Sequence, residues 1–159
     1  MDALLQLLQK DDRTSPSELA RQLNLSEKEV IAKIQQWESD GTILGYHAVI
    51  DRERMDPDLV IAVIEVKVTP EREGGFNRTA QRIARFEEVE NVYLMSGGYD
   101  VLVTVHGKSL HNIAHFVTNK LSTIDGVQSC TTRFRLKTYK ENGILHGVEE
   151  KCERLAVAP

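Results

Sequence analysis

The run from Ser26 to Asp51 constrains this chain more than any other stretch, because it marks both ends of a helix and passes directly into β-rich residues. Ser26 can accept the N–H of Glu29 while the Glu29 carboxylate reaches back to the N–H of Ser26, a reciprocal capping box. Val30, Ile34 and Trp37 fall on one helical face with Ile31 beside them. Gly41 supplies the positive φ that ends a helix without a Cβ penalty. Ile43, Leu44, Tyr46, Val49 and Ile50 then read as a strand. Upstream, Ser15-Pro16-Ser17-Glu18 repeats the start signal, with proline at the first helical position, where a missing N–H costs nothing. Leu19, Ala20 and Leu23 give that helix its apolar face, and Asn24-Leu25 is a tight link to the next. Two helices joined this closely, the second amphipathic and followed by a strand, predict a winged helix-turn-helix whose second helix enters the major groove of DNA.

The helix before them covers residues 2–10, with Leu4, Leu5, Leu7 and Leu8 as a broad apolar face for packing. In the third helix, Glu27, Lys28, Ala32, Lys33, Gln35, Gln36 and Ser39 lie off the apolar face. Lysine can hold phosphate or guanine, and glutamine can pair bidentately with adenine in the major groove. The plainer reading is the solvated face of an interaction module that never meets DNA. Charge leans that way: the chain carries a net −4, and the first 57 residues hold seven basic side chains against eleven acidic ones. The remaining residues balance, so the whole deficit sits in the expected DNA-binding half, and phosphate attraction by one subunit should be weak.

Pro57 closes a charged linker, and from Leu59 the pattern changes. Val60–Val68 begins as a continuous apolar run and ends in alternation, which suits a strand with a largely buried start. Phe76, Ala80, Ile83 and Ala84 mark a helix to about residue 86. Val92–Met95 and Val101–Val105 are two strands joined by Ser96-Gly97-Gly98-Tyr99-Asp100. A second helix starts at Ser109 with Leu110, Ile113, Ala114, Val117 and Leu121 on its apolar face, and a last strand runs from Val127 towards Tyr139. This βαββαβ order is the ferredoxin-like unit, so the fold class is α+β. The domains read as 1–42 for the helix-turn-helix, 43–58 for hinge strand and linker, and 59–159 for the ferredoxin-like domain. Two helices on one face of an antiparallel sheet leave the other face to be covered, and a second copy is the simplest cover; a dimer is expected. With 159 residues, 41% hydrophobic, the chain has material for two small cores. No apolar run approaches membrane-spanning length and the N-terminus lacks a signal-peptide pattern, which predicts a cytoplasmic protein. Cys130 and Cys152 have no CxxC spacing and read as reduced and structural.

Several constellations bear on chemistry. Gly97-Gly98-Tyr99-Asp100 joins a backbone free to turn sharply to a ring and a carboxylate able to receive an ammonium group; from the residues alone a plain hairpin turn is favoured. His111 and His115 have the i, i+4 spacing of two metal ligands but no HExxH context, and exposed histidines are the commoner case. No phosphate-binding glycine loop, GxSxG elbow or Cys/His nucleophile pair is present, so the enzyme class has little support.

The run Ser26 to Tyr46 resembles, without a gap, the recognition helix and hinge of the leucine-responsive/asparagine-operon (Lrp/AsnC) regulator family through Ser26, Lys33-Ile34, Glu38, Gly41, Ile43 and Gly45-Tyr46. The family usually has Arg where this chain has Lys33, and often further basic residues at Gln35 and Gln36. The resemblance extends over nearly the whole chain. It implies a transcriptional regulator whose DNA-binding residues are Ser26, Lys28, Lys33, Gln35 and Gln36. It also implies an interface site for a small amino-acid effector between Gly97, Gly98, Tyr99 and Asp100 and the start of the last strand, at Gln128, Ser129, Thr131 and Thr132. The expected partners are double-stranded DNA, the effector, and further copies of the chain, as a dimer assembling to a tetramer or octamer, with no cofactor and no membrane. Two other readings stay open. One is a ligand-binding or assembly protein of the same architecture that does not bind DNA. The other is a tetrapyrrole-modifying enzyme, a decarboxylase of related architecture that would use His106 and Arg133.

Overall fold

A computed structural model of the chain describes residues 2–70 and 75–146. It falls into two compact units, Met1–Ala48 and Val49–Pro159, each with its own apolar cluster.

The first unit is three helices: α1 (Ala3–Lys10), α2 (Pro16–Leu23) and α3 (Glu27–Ser39). Leu4, Leu19, Ala20 and Val30 are buried together, with Leu7, Leu8, Leu23, Leu25, Ile34 and Trp37 packed around them. Both start signals act as expected, with one difference. Ser26 and Glu29 form the full reciprocal box. Ser15 Oγ accepts from the N–H of Glu18 at 3.2 Å, but the Glu18 carboxylate turns to Arg21 and Gln22 instead of reaching back. Asn24 takes the left-handed conformation at φ 54°, which a short polar side chain tolerates. That single residue turns the chain from α2 into α3, and Leu25 N–H closes on Ala20 O at 3.0 Å. Gly41, at φ 77°, ends α3 as its position required.

The strand expected over residues 43–50 is not formed: these residues carry no strand pairing, and Leu44, Tyr46 and Ile50 are exposed. A strand needs a neighbour for its N–H and C=O groups, and one copy of the chain offers this run none; no wing is built among the described residues.

The second unit opens with α4 (Arg52–Met55), a single turn capped by Asp51 within the expected linker. Then come β1 (Val60–Val68), α5 (Asn77–Ile83), β2 (Val89–Leu94), β3 (Val101–Gly107), α6 (Leu110–Phe116) continuing as a π-turn over Val117–Leu121, and β4 (Val127–Phe134). The strands pair antiparallel in the order β2-β3-β1-β4, the ferredoxin-like arrangement. Ala62, Ile64, Val66 and Val68 alternate inward along β1, opposite Val101, Val103 and Val105 of β3, and meet Ile83, Ile113, Phe116 and Leu121 from the helices. The opposite face presents Ile61, Val63, Glu65 and Lys67 from β1 and Leu102 and Thr104 from β3. β4 stops at Phe134, short of Tyr139, and the chain adds a small hairpin of β5 (Lys140–Glu141) and β6 (Ile144–Leu145). Its signal is Asn142-Gly143, both at positive φ, the pair that favours a two-residue hairpin turn. Cys130 is a half-buried free thiol whose pKa is raised by burial; Cys152 lies outside the described residues. No described helix is long and apolar enough to cross a membrane.

Candidate nucleic-acid interface and effector site

At 100° per residue, the outward stripe of α3 is Lys28, Ala32, Gln35 and Ser39, with Gln36 beside it. All five are exposed. Ser26 stands at the start of this surface, its hydroxyl engaged with Glu29 at 2.7 Å, and the Glu29 carboxyl is held below the ordinary range by those Ser26 hydrogen bonds. Lys33 sits differently. It comes three residues after buried Val30 and four before Trp37, on the flank of the packing face, and is half-buried. Its Nζ donates to Asp2 Oδ2 at 3.2 Å and stands 6.0 Å from the Trp37 ring centroid. The other Asp2 oxygen accepts the Leu4 N–H at 2.9 Å, so the residue that caps α1 also grips α3. These bonds, the Leu4 one foremost, hold the Asp2 carboxyl below its ordinary range. The sequence pattern places Asp2 inside the first helix, whereas it caps α1 from outside. Beyond Gly41, Tyr46 Oη donates to Glu38 at 3.0 Å, tying the following segment back to α3.

In the second unit, the loop from Met95 to Asp100 lies at the end of the β2–β3 pair, beside the last residues of β1. Gly97 adopts φ 129°, a conformation open to glycine. Asp100 is held at three points: its N–H donates to Val66 O at 3.0 Å, its carbonyl accepts Met95 N–H at 2.8 Å, and Oδ2 accepts Val68 N–H at 2.8 Å. Part of its acceptor capacity is thereby used by the chain itself, and the remainder is open to another donor. Tyr99 is half-buried, while Gly97 and Gly98 are exposed. On the other side of β1, Ser129 pairs in register with Lys67 and Thr131 with Glu65, while Gln128 Nε2 donates to Thr69 Oγ1 at 2.8 Å. The fold thus brings the loop and the start of β4 to the same end of the sheet, one strand apart, roughly 10 Å at ordinary strand spacing. Ser129 and Thr131 are exposed on the face away from the helices; Thr132 turns inward opposite Ile64.

Of the two residues of the enzymatic reading, Arg133 is paired, whereas His106 Nδ1 is buried without a hydrogen-bond partner among the described residues. Arg133 forms a two-pronged pair with Glu65 at 2.9 and 3.2 Å, which lowers the Glu65 pKa. His106 Nδ1 lies 3.2 Å from Glu90, which pairs with Arg52. His111 and His115 are exposed on α6, and among the described residues no group of three or more His, Cys, Asp or Glu side chains could hold a metal. A cavity of about 310 Å³ lies elsewhere in the domain, lined by Arg52, Glu53, Ile61, Arg135, Glu141 and His146 among others. No sequence motif announced it, because the hairpin that closes it was not anticipated.

A helix-turn-helix head followed by a ferredoxin-like domain defines a two-domain regulator of the helix-turn-helix class. Both parts match known protein families. Residues 2–36 match the AsnC-type helix-turn-helix domain and residues 61–145 the Lrp/AsnC ligand binding domain. The HTH-type transcriptional regulator YugG of Bacillus subtilis is 41% identical over 157 residues, covering 98% of this chain and 95% of that one. Among solved structures, an L-Met complex of a transcriptional regulator from Neisseria meningitidis superposes with a TM-score of 0.71 at 25% identity, over 89% of this chain and 93% of that chain. The feast or famine regulatory protein of M. tuberculosis, complexed with L-methionine, gives 0.72 at 25% identity, over 87% and 90%. The chain belongs to the Lrp/AsnC family of transcriptional regulators.

Proposed function

We propose that this regulator reads DNA through the outward stripe of α3, assembles through the open face of its sheet, and responds to a small amino acid held between the Gly97–Asp100 loop and the start of β4. The observation that carries the DNA part is the stripe itself: Lys28, Gln35 and Gln36 exposed side by side on a helix fixed by a full capping box. Lys28 supplies phosphate attraction, and the glutamines supply base-edge hydrogen bonds. Because the head is acidic overall, single-subunit attraction is weak, and several heads on one particle act by effective concentration. The uncovered row Tyr93, Leu102, Glu65 and Thr131, in register across four strands, supports pairing of two sheets into a dimer, from which a tetramer or octamer would be built. DNA as partner fits a cytoplasmic protein, and Arg133 is occupied by its two-pronged pair with Glu65.

The effector part is supported by the juxtaposition of the two segments and by the L-methionine complexes of the two similar structures. Asp100 would receive the ammonium group, Tyr99 would form a wall, and Gln128, Ser129 or Thr131 would bind the carboxylate or side chain. Calorimetric titration with the common amino acids tests it, repeated on Asp100→Asn, which keeps an oxygen for Val68 N–H while removing the charge. Binding by the parent that is lost in the variant supports the site; equal binding in both places the ligand elsewhere. For the DNA part, selection of bound genomic fragments followed by Gln36→Ala should yield a changed base preference. Failure to retain any DNA above background would favour the assembly-protein reading that the acidic head suggests.

A further inference from the structure

We infer that Lys33 and Asp2 form a positioning strut for DNA recognition: Lys33 serves binding through Asp2, by fastening α3 to the start of α1, and not by touching phosphate. This rests on the reading of α3 as the DNA-reading helix. Three observations carry it. By helical phase Lys33 lies about 100° or more from the mean direction of the Lys28–Ala32–Gln35–Ser39 stripe, on the flank that packs. Its ammonium group is engaged by Asp2 at 3.2 Å and stands 6.0 Å from the ring centroid of the half-buried Trp37. Asp2 is itself fixed, because its other oxygen caps α1 through Leu4 N–H, so the pair is anchored at both ends.

The geometry gives the strut leverage. Leu4, Leu19, Ala20 and Val30 are the only fully or nearly fully buried apolar side chains of the described head, so α3 is held by few contacts and each extra tie restricts its angle. The tie joins the first turn of α1 to the middle of α3, where the outward stripe must sit within hydrogen-bond tolerance of base edges. Because the pair is exposed and screened by solvent, its effect is at most about a fivefold change per head. A consequence follows for affinity: the outward stripe of α3 carries one cation, Lys28, so a head gains about one phosphate contact from this helix and a salt slope near 0.9 from it.

The test uses the full chain and a labelled DNA duplex carrying a selected site, titrated over a range of salt concentrations, with Lys33→Gln, Asp2→Asn and the double variant. Asp2→Asn keeps an oxygen to cap α1 and removes only the ion pair; Asp12→Asn, an exposed acid of the same head, controls for loss of a negative charge alone. The strut predicts a two- to fivefold loss of specific affinity in either single variant relative to its charge control, no further loss in the double, and a salt slope unchanged by Lys33→Gln. Lys33→Arg restores affinity. Lys28→Gln, in contrast, makes the slope shallower by about 0.9 per bound head. The inference is overturned if Lys33→Gln makes the slope shallower by that amount while Asp2→Asn raises affinity above the Asp12→Asn control, the pattern of a phosphate contact restrained by Asp2. If Lys28→Gln and Gln36→Ala leave affinity and preference untouched, the reading of α3 fails instead, and the two failures are distinguishable.

Discussion

Replacing Leu19 by alanine should unfold the head while leaving the sheet domain standing. Leu19 is fully buried in one cluster with Leu4, Ala20 and Val30, against which Leu23, Ile34 and Trp37 also pack. Truncating a buried leucine costs about 2–5 kcal/mol, from the lost transfer free energy and the cavity left behind. A unit spanning Met1–Ala48, at about 0.05–0.15 kcal/mol per residue, has only roughly 2–7 kcal/mol to lose. The variant head therefore lies near its unfolding midpoint. The chain's one tryptophan, Trp37, packs half-buried on this same cluster, so its fluorescence reports the head selectively, whereas far-UV circular dichroism also follows the sheet. In urea, Leu19→Ala should move the Trp37 transition to much lower denaturant and abolish DNA binding, while the dichroism retains a later transition at the parent's midpoint. An unchanged Trp37 midpoint, or a sheet transition that moves equally with it, would refute the account of two separate cores.

Asp100→Ala removes the acceptor for Val68 N–H, at about 1–3 kcal/mol for an unpaired buried donor; Asp100→Asn should lose clearly less, and urea midpoints of the two variants compare them. The Glu88 carboxyl is held below the ordinary glutamate range chiefly by its hydrogen bond from Lys120, so Lys120→Met should raise its titration midpoint in carboxyl-resolved NMR. Because the folded-state value is depressed, the stability this pair adds is present above the unfolded glutamate value and is lost as pH falls through the folded one. The acid limb of the variant's stability profile should accordingly be shallower.

Features whose physics is local were legible in the order of the residues. The Ser26–Glu29 box, the Pro16 start and the left-handed stop at Gly41 depend on residues within a few positions of one another, and each appears where spacing predicted it; β1, expected to begin as a buried run, instead alternates from Ala62 onward. The family resemblance rested on the same local run. Features that required a distant partner emerged only with the fold. Residues 43–50 have β-forming side chains, yet a ladder needs a second strand, and none pairs with them in a single chain. Asp100 looked like a free carboxylate until the fold laid it beside Val68 N–H, 32 positions away. Lys33 looked like one more cation on a polar face until α1 placed Asp2 within reach, 31 positions back. A side chain's chemistry can be read from its letter, but which of its hydrogen-bonding groups remain available depends on what the fold sets beside it.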